Sequence, residues 1–414
     1  MLTRRLLLRG GAVVMAGAGR APGWLARAAE ADSQTARKKV LVAIFQRGAV
    51  DGLNMVVPFA EKRYYTMRPT IAVPVPGNQN ALGNGPFGGP AIDLDGRFGL
   101  HPALDTLKPF WDRQRLAIVE ATGSPDPSRS HFDAQDYMES GTPGKATGDG
   151  WLNRALPVAT PGTSPLRAIA MSAQLPHTLR GDRAAIAVNN AQQFQMGNQN
   201  TAALERMYST TSDTRLGRDG KDAFAAMKMI RTVNQQAPNP AIAPLYGQGG
   251  ELGRSLQQIA RLIKANVGVE TAFAETGGWD HHGNEPNQMS TMLRQFGSAI
   301  SAFVTDMGDR MEDVALVTMS EFGRTAEENG DAGTDHGHGN VMLVLGGNVA
   351  GGKIYGTWPG LEKEQLNEGR DLAVTTDFRA VLSELVSGQL GQKDLSQVFP
   401  GYLPGSPLGL LRKS

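Results

Sequence analysis

Residues 277–284 (GGWDHHGN) form a segment rich in residue types that bind metal ions. Asp280 and His282 lie two positions apart, so in an extended or looping segment their side chains can point the same way. One carboxylate oxygen and one imidazole nitrogen can then reach a single cation. The flanking glycines allow backbone of positive φ close to a ligand. The other interpretation is a polar turn that leads into a helix near Pro286.

Residues 334–339 (TDHGHG) have the same character. His336 and His338 share one face of an extended segment, and Asp335 can act as a third ligand or orient an imidazole. A solvated histidine-rich loop is the alternative. Four of the seven histidines lie in these two segments, however, and the presence of two such clusters favours metal binding by both.

Two single acidic residues occupy similar positions, each a few residues after an apolar run. Asp51 lies in a tight loop (RGAVDG), where a carboxylate suits a hard or borderline cation, although Asp-Gly is also a common turn. Glu321 lies in SEFGR and has the same two interpretations. Arg324, three residues later, can form the salt bridge of Glu321 or contact an anionic substrate.

Ser130 lies near the expected start of a helix, in PSRSHFD. The amides and dipole of a helix N-terminus favour an anion, and a nearby metal would lower the pKa of the hydroxyl enough to make it a nucleophile. Capping of the helix by Ser128 or Ser130 is an equally good interpretation.

The elements that must position these residues alternate along the chain. Apolar runs predict five main strands, at 39–45, 115–121, 269–274, 314–319 and 341–345. Helical spacing lies between and after them, at 101–112, 128–139, 249–264, 286–307 and 377–386. This alternation predicts an α/β fold with a doubly wound, mainly parallel sheet. Ligands bind outside the carboxyl ends of such strands, so the polar segments should meet at one edge.

The pattern predicts one α/β domain over residues 38–414. Within it, residues 150–245 are less regular and hold few residues of chemical interest, so we expect an insertion or cap over the core. Short strands are predicted inside this segment near 168–171 and 184–188.

Residues 1–28 have the pattern of an export signal that is removed from the mature protein. They carry a basic start with Arg4 and Arg5, a weakly apolar stretch at 10–19, and a small-residue cleavage pattern at 26–28. The TRRLLL sequence predicts export by the twin-arginine machinery and a periplasmic or extracellular location.

Composition excludes several classes of function. Removing the five Arg residues of the signal from 41 basic residues leaves 36 against 40 acidic ones, a net charge of −4. That charge gives no electrostatic basis for binding nucleic acid. After the signal, no apolar run approaches the roughly 20 residues that span a bilayer. The chain has no cysteine, so any metal must be held by carboxylate and imidazole.

Six segments together carry a resemblance to a known family: the twin-arginine start, residues 47–58 (RGAVDGLNMVVP), SHFD at 130–133, GGWDHHGN, SEFGRT and TDHGHGNVMLVLGG. They closely resemble a large bacterial family of exported proteins of unknown function that is distantly related to the alkaline phosphatase and sulfatase superfamily. The similarity covers nearly the whole chain. It implies an alkaline-phosphatase-like core with one or two divalent metals, zinc, manganese or calcium, and a Ser or Thr nucleophile that attacks phosphorus or sulfur.

By position, the resemblance makes Asp51 the metal ligand after the first strand, Ser130 the nucleophile, and Asp280 with His282 an aspartate-histidine metal pair. By its letters, DHG at 335–337 resembles the superfamily's Asp-His-Gly motif. By strand order, Glu321 takes that place, and His336 or His338 becomes the last histidine ligand. We prefer the strand order, because ligand positions follow topology more closely than short letter matches do.

The expected function is therefore exported, metal-dependent hydrolysis of a phosphate or sulfate ester, either small or polymeric. Ser130 or a water would attack the ester, and Arg324 or Arg129 would neutralise charge on it. The alternative is a non-catalytic exported binding or assembly protein that keeps the superfamily core and a structural cation.

Overall fold

A computed structural model describes residues 37–78, 87–145, 147–188, 205–208, 210–235 and 239–412. The expected export signal at 1–28 lies outside these residues. The chain divides after Arg37, and the fold below belongs to Lys38–Ser414.

Two β-sheets are formed by the described residues. Nine strands make a large sheet, in the order β11-β5-β10-β9-β1-β8-β6-β7 with β12 beside β5, and three make a small sheet, in the order β2-β4-β3. The strands are β1 (Val40–Gln46), β2 (Val56–Val57), β3 (Ile92–Asp93), β4 (Gly99–Leu100), β5 (Leu116–Gly123), β6 (Ala168–Ala170), β7 (Ile186–Ala187), β8 (Thr271–Thr276), β9 (Val314–Met319), β10 (Asn340–Gly346), β11 (Lys353–Tyr355) and β12 (Thr376–Asp377).

The large sheet is mainly parallel, as the sequence predicts. β1 pairs in parallel with β8 and β9, and β6 pairs in parallel with β7 and β8. β10 is the exception, because it runs antiparallel to both β5 and β9. As a result β5 runs in the same direction as β1, and the carboxyl ends of β1, β5, β8 and β9 reach one edge of the sheet, where β10 begins.

Helices cover both faces of the large sheet. Alternate residues of β1 belong to different cores: Val42 packs in one and Phe45 in the other. The described helices are α1 (Gly52–Met55), α2 (Lys62–Met67), α3 (Lys108–Asp112), α4 (His131–Ser140), α5 (Trp151–Ala155), α6 (Thr214–Asn234), α7 (Ala243–Gly247), α8 (Gly250–Lys264), α9 (Glu285–Met307), α10 (Phe378–Leu390) and α11 (Leu395–Val398). α8 and α9 pack in the first core, and α5 and α10 pack in the second.

The segment 150–245 differs in part from the expected insertion or cap. Its strands β6 and β7 extend the large sheet beyond β8, and Trp151 of α5 is buried in the second core. These pieces belong to the core because their apolar side chains complete the sheet and the helix layer beside it. Among the described residues, no helix is both long enough and apolar enough to cross a bilayer.

Candidate metal centre

Three of the strand ends bring imidazole and carboxylate groups together at one edge of the large sheet. His131 is the first residue of α4, which follows β5. Asp280 and His282 follow β8, and His336 comes shortly before β10. One ligand atom from each of His131, Asp280 and His336 lies within 4.8 Å of the others.

The separations between these atoms are those of groups that share one small cation. The Nε2 atom of His336 lies 3.0 Å from Nε2 of His131, 3.1 Å from Nε2 of His282 and 3.3 Å from Oδ1 of Asp280. Asp280 also lies 3.0 Å from Nε2 of His282 and 3.5 Å from Nε2 of His131. Ligands bound at about 2.0–2.1 Å from a tetrahedral zinc ion lie about 3.3 Å apart, which matches these distances.

The opposite nitrogen of each imidazole faces an oxygen acceptor. Nδ1 of His131 lies 2.8 Å from the carboxylate of Glu321, and Nδ1 of His282 lies 2.9 Å from that of Asp335. Nδ1 of His336 lies 3.0 Å from the backbone carbonyl of Arg129. Each Nδ1 must therefore carry the hydrogen, which leaves a lone pair on each Nε2 of the neutral rings. The lone pair of His336 then faces those of His131 and His282, and the carboxylate of Asp280 lies beside all three. This donor set fits a cation.

Both acceptor carboxylates have lowered pKa values. Burial raises the pKa of Glu321, but its hydrogen bonds with His131 and Gln135 outweigh burial and lower the pKa overall. The hydrogen bond with His282 lowers the pKa of Asp335. In turn, the hydrogen bond with Glu321 raises the pKa of His131. Without a metal, a proton on His131 would relieve the repulsion in the centre, and a bound metal would replace that proton.

Glu321 and Asp335 thus contact the imidazoles on the Nδ1 side, opposite the Nε2 atoms of the cluster. Glu321 was expected to bind the metal directly, but its side chain is buried and Oε1 accepts hydrogen bonds from His131, from the Gly48 amide at 2.7 Å and from Gln135 at 2.9 Å. For Asp335 the sequence left two roles open. The structure places its carboxylate where it orients His282.

Arg324 is placed differently from the substrate contact that the sequence suggested. Its side chain is fully buried and donates to Asp280 Oδ1 at 2.6 Å, to the carbonyls of Gly48 and Ala49 at 2.6 Å each, and to the carbonyls of Thr334 and Trp279. Burial raises the pKa of Asp280, but the hydrogen bond and charge of Arg324 lower it overall. Arg324 therefore positions Asp280 and links three loops around the centre, those after β1 and β8 and the one before β10.

Asp51 does not join the histidines. Its carboxylate is buried and forms an ion pair with the buried guanidinium of Arg68, while Oδ1 accepts from the Leu53 amide at 3.1 Å at the start of α1. Both carboxylate oxygens are therefore engaged within the protein. The expected role of Asp51 as a first-strand ligand is corrected to a structural ion pair.

Ser130 and His338 flank the centre without entering the histidine cluster. Ser130 caps α4, with Oγ accepting from the Asp133 amide at 3.5 Å, and it is exposed. Nε2 of His338 donates to the Ser124 carbonyl at 2.9 Å. Of the two histidines of the segment 334–339, His336 is therefore the one whose ring lies in the cluster.

His131 is the residue that sequence reasoning missed. It follows the second predicted strand together with Ser130, but the sequence analysis gives a role only to the serine. Its position could have identified it, because His131 follows the second predicted strand in the same way that the other polar groups follow theirs. What the sequence did not reveal is that the ring at the first position of α4 points to the loop before β10.

Comparison with known proteins gives a family and several distant structures. A family model described as "Protein of unknown function (DUF1501)" matches residues 115–398, more than half of the chain. A search of curated proteins found no match. A protein of the alkaline phosphatase superfamily from Vibrio parahaemolyticus is 10% identical, with a TM-score of 0.33, over 77% of this chain and 62% of that one.

Two further structures are forms of one enzyme. The alkaline phosphatase from the Antarctic bacterium TAB5 is 9% identical, with a TM-score of 0.30, over 76% of this chain and 93% of that one. A variant of that enzyme with magnesium bound is 12% identical, with a TM-score of 0.28, over 75% of this chain and 91% of that one. TM-scores this low do not assign a function.

Proposed function

This chain belongs to the DUF1501 family of proteins of unknown function, and we propose that it is a metal-dependent hydrolase of phosphate or sulfate esters. One observation carries the proposal: the Nδ1 atoms of three imidazoles are each held by an acceptor, and Nε2 of His336 lies close to Nε2 of both His131 and His282, with Asp280 beside all three. The residues that would hold the metal are His131, Asp280, His282 and His336.

The nitrogen-rich donor set narrows the choice of metal. Calcium and magnesium prefer shells made of oxygen, whereas imidazole together with carboxylate suits zinc and manganese. We therefore favour zinc or manganese over calcium. The metal would act as a Lewis acid on an ester oxygen and would lower the pKa of the attacking group.

The chain's own residues supply the other parts of the proposed reaction. Ser130 adjoins His131 in sequence and is exposed, so its hydroxyl is accessible to a substrate and is our candidate nucleophile. Its place at the N-terminus of α4 puts the dipole of a ten-residue helix behind the anion that it would attack. Asp280, fixed by the buried Arg324, keeps its negative charge for the cation.

We also propose that the protein works outside the cytoplasm. The support is the sequence of residues 1–28, with Arg4 and Arg5 before a weakly apolar stretch and a small-residue cleavage pattern. Replacing both arginines by Lys should retain the protein in the cytoplasm, as cell fractionation would show.

Elemental analysis together with ester hydrolysis tests the proposal. We expect the mature protein to hold zinc or manganese and to hydrolyse a generic phosphate or sulfate monoester. Asp280→Asn and His336→Gln should lose both properties, whereas His177→Gln, remote in sequence and bonded to the Thr147 carbonyl, should keep both. Hydrolysis that persists in both centre variants with unchanged metal content would refute the mechanism.

One observation favours a second candidate, a non-catalytic binding protein with a structural cation. The two arginines expected to neutralise the substrate are already committed: Arg324 is buried, and Arg129 pairs with Asp371 at 2.6 Å and Glu368 at 2.7 Å. This candidate predicts that metal raises the melting temperature but that no ester is cleaved, and that Ser130→Ala has no effect.

A further inference from the structure

A cavity of about 440 Å³ lies beside the metal centre. One wall comes from α2, through Arg63 and Met67, and another from residues 363–370, through Lys363 and Arg370. The loop between β9 and β10 forms the wall nearest the histidines. None of these cavity residues is among the four that would hold the metal.

Two residues connect the cavity to the centre. Asp335 lines the cavity and accepts from Nδ1 of His282 at 2.9 Å. Asn329 also lines it and donates to the backbone carbonyl of His282 at 2.8 Å. A ligand in the cavity is therefore separated from the imidazole of His282 by a single side chain. One small substrate is long enough to reach both the cavity and the metal centre.

The acidic groups of the cavity are largely engaged within the protein. Glu328 accepts from the Thr70 amide and hydroxyl and from the Ile71 amide, at 2.9–3.0 Å. Asp335 is bonded to His282. Glu327 is the acid left facing solvent.

The basic groups of the cavity are more available. Arg63 and Lys363 are exposed, and no ion pair with an acid is found for either among the described residues. Arg370 donates to the His336 carbonyl at 2.8 Å and pairs with the buried Asp371 at 3.4 Å, although 41% of its side chain remains exposed. Arg63 and Lys363 are therefore the two cations of the cavity that can move to meet an anion entering it.

We propose that this cavity binds a second anionic group of the substrate, a carboxylate, sulfate or phosphate, while the ester lies at the metal centre. The inference rests on the proposed function and names its substrate class: esters that carry another anion a few ångströms from the one that is cleaved. Arg63 and Lys363 contact that second anion through flexible side chains. They select the substrate and take no part in the bond that breaks.

Two matched probes test this with the mature, metal-loaded protein: phenyl phosphate and 4-carboxyphenyl phosphate, which differ by one carboxylate. Titration calorimetry should show about tenfold tighter binding of the carboxylated ester. Arg63→Gln and Lys363→Gln should each reduce this preference about threefold, and the double variant should abolish it. Lys62→Gln removes a neighbouring charge from α2 that does not line the cavity, so it should keep the full preference.

The outcomes separate the two proposals. Equal affinity for both probes, no binding of either, or a preference that survives the double variant would overturn the cavity proposal. A preference that persists in His336→Gln, with no hydrolysis of either ester by the unmodified protein, would support the anion site and contradict the hydrolase. Hydrolysis of both esters at equal rates and affinities would support the hydrolase alone.

Discussion

At the scale of single residues, the partner of each Nδ1 atom decides what the opposite nitrogen can bind. Glu321, Asp335 and the Arg129 carbonyl are acceptors, so they fix the hydrogen of three imidazoles on Nδ1. They also make each ring a stronger ligand by polarising it. The metal centre is therefore determined as much by groups that would never touch the metal as by those that would.

The two histidines of the segment 334–339 should behave differently when replaced. His336→Gln removes an Nε2 that lies 3.0–3.3 Å from three other ligand atoms, so metal affinity should fall more than about 100-fold. His338→Gln removes a hydrogen bond to the Ser124 carbonyl and should leave metal content unchanged. Mass spectrometry of metals after dialysis measures both. The reverse ranking would place the last ligand at position 338.

Glu321→Gln tests the carboxylate behind His131. Neutralising this buried acceptor should weaken metal binding about 10–100-fold, because the imidazole is less polarised and less firmly oriented. Glu327→Gln, a nearby change of an exposed acid, is the matched control and should have little effect. Competition with a chromogenic chelator gives the two affinities. A Glu321→Gln affinity equal to the control value would mean that the carboxylate does not support the site.

At the scale of elements, buried polar links hold the loops and helix starts around the centre. Asp51 and Arg68 join the loop after β1 to the end of α2. Glu285, the first residue of α9, accepts from Asn54 at 2.8 Å and from the Thr334 hydroxyl at 2.7 Å. Burial and the nearby Asp51 raise the pKa of Glu285 well above its usual range. Glu285 and Asp51 therefore do not place two full negative charges side by side.

Asp51→Asn separates a structural role from a ligand role. It leaves the guanidinium of Arg68 buried without its ion pair, which should cost about 3–5 kcal/mol of unfolding free energy, while metal content stays the same. Asp112→Asn, which breaks the exposed pair with Lys108, should cost about 0.5 kcal/mol or less. Urea unfolding and metal analysis provide the two readouts. Loss of metal without loss of stability would restore Asp51 as a ligand.

At the scale of the whole molecule, the sequence predicted the sheet well, because continuous apolar runs are typical of strands buried on both faces. The run expected at 314–319 matches β9 residue for residue, and the other four main strands differ by one or two residues at their ends. The reversed direction of β10 could not be predicted, since an apolar run buried on both faces has no feature that sets its direction.

The candidate site was predicted only in part, for a physical reason. Asp280, His282 and His336 stand out because their spacing and glycines mark them locally. Whether a carboxylate faces a metal or an arginine depends on residues outside its own segment, such as Arg68 for Asp51. In the same way, the position of Arg324 depends on its partners in the loops after β1 and β8. Sequence spacing does not contain that information.

The stability of the whole molecule should depend on pH through His101. This residue is fully buried, its Nδ1 accepts from the Ala103 amide at 3.0 Å, and burial lowers its pKa from 6.5 to about 3. Between these values the unfolded chain binds a proton that the folded protein does not, so stability decreases as pH falls from about 6.5 toward 3, by up to about 1.4 kcal/mol per pH unit.

His101→Asn keeps a side-chain acceptor for the Ala103 amide but cannot titrate in this range. In urea unfolding at a series of pH values, the variant should start less stable at pH 7, and the gap to the unmodified protein should narrow as pH falls. A gap that stays constant down to pH 4 would show that His101 takes up its proton without unfolding.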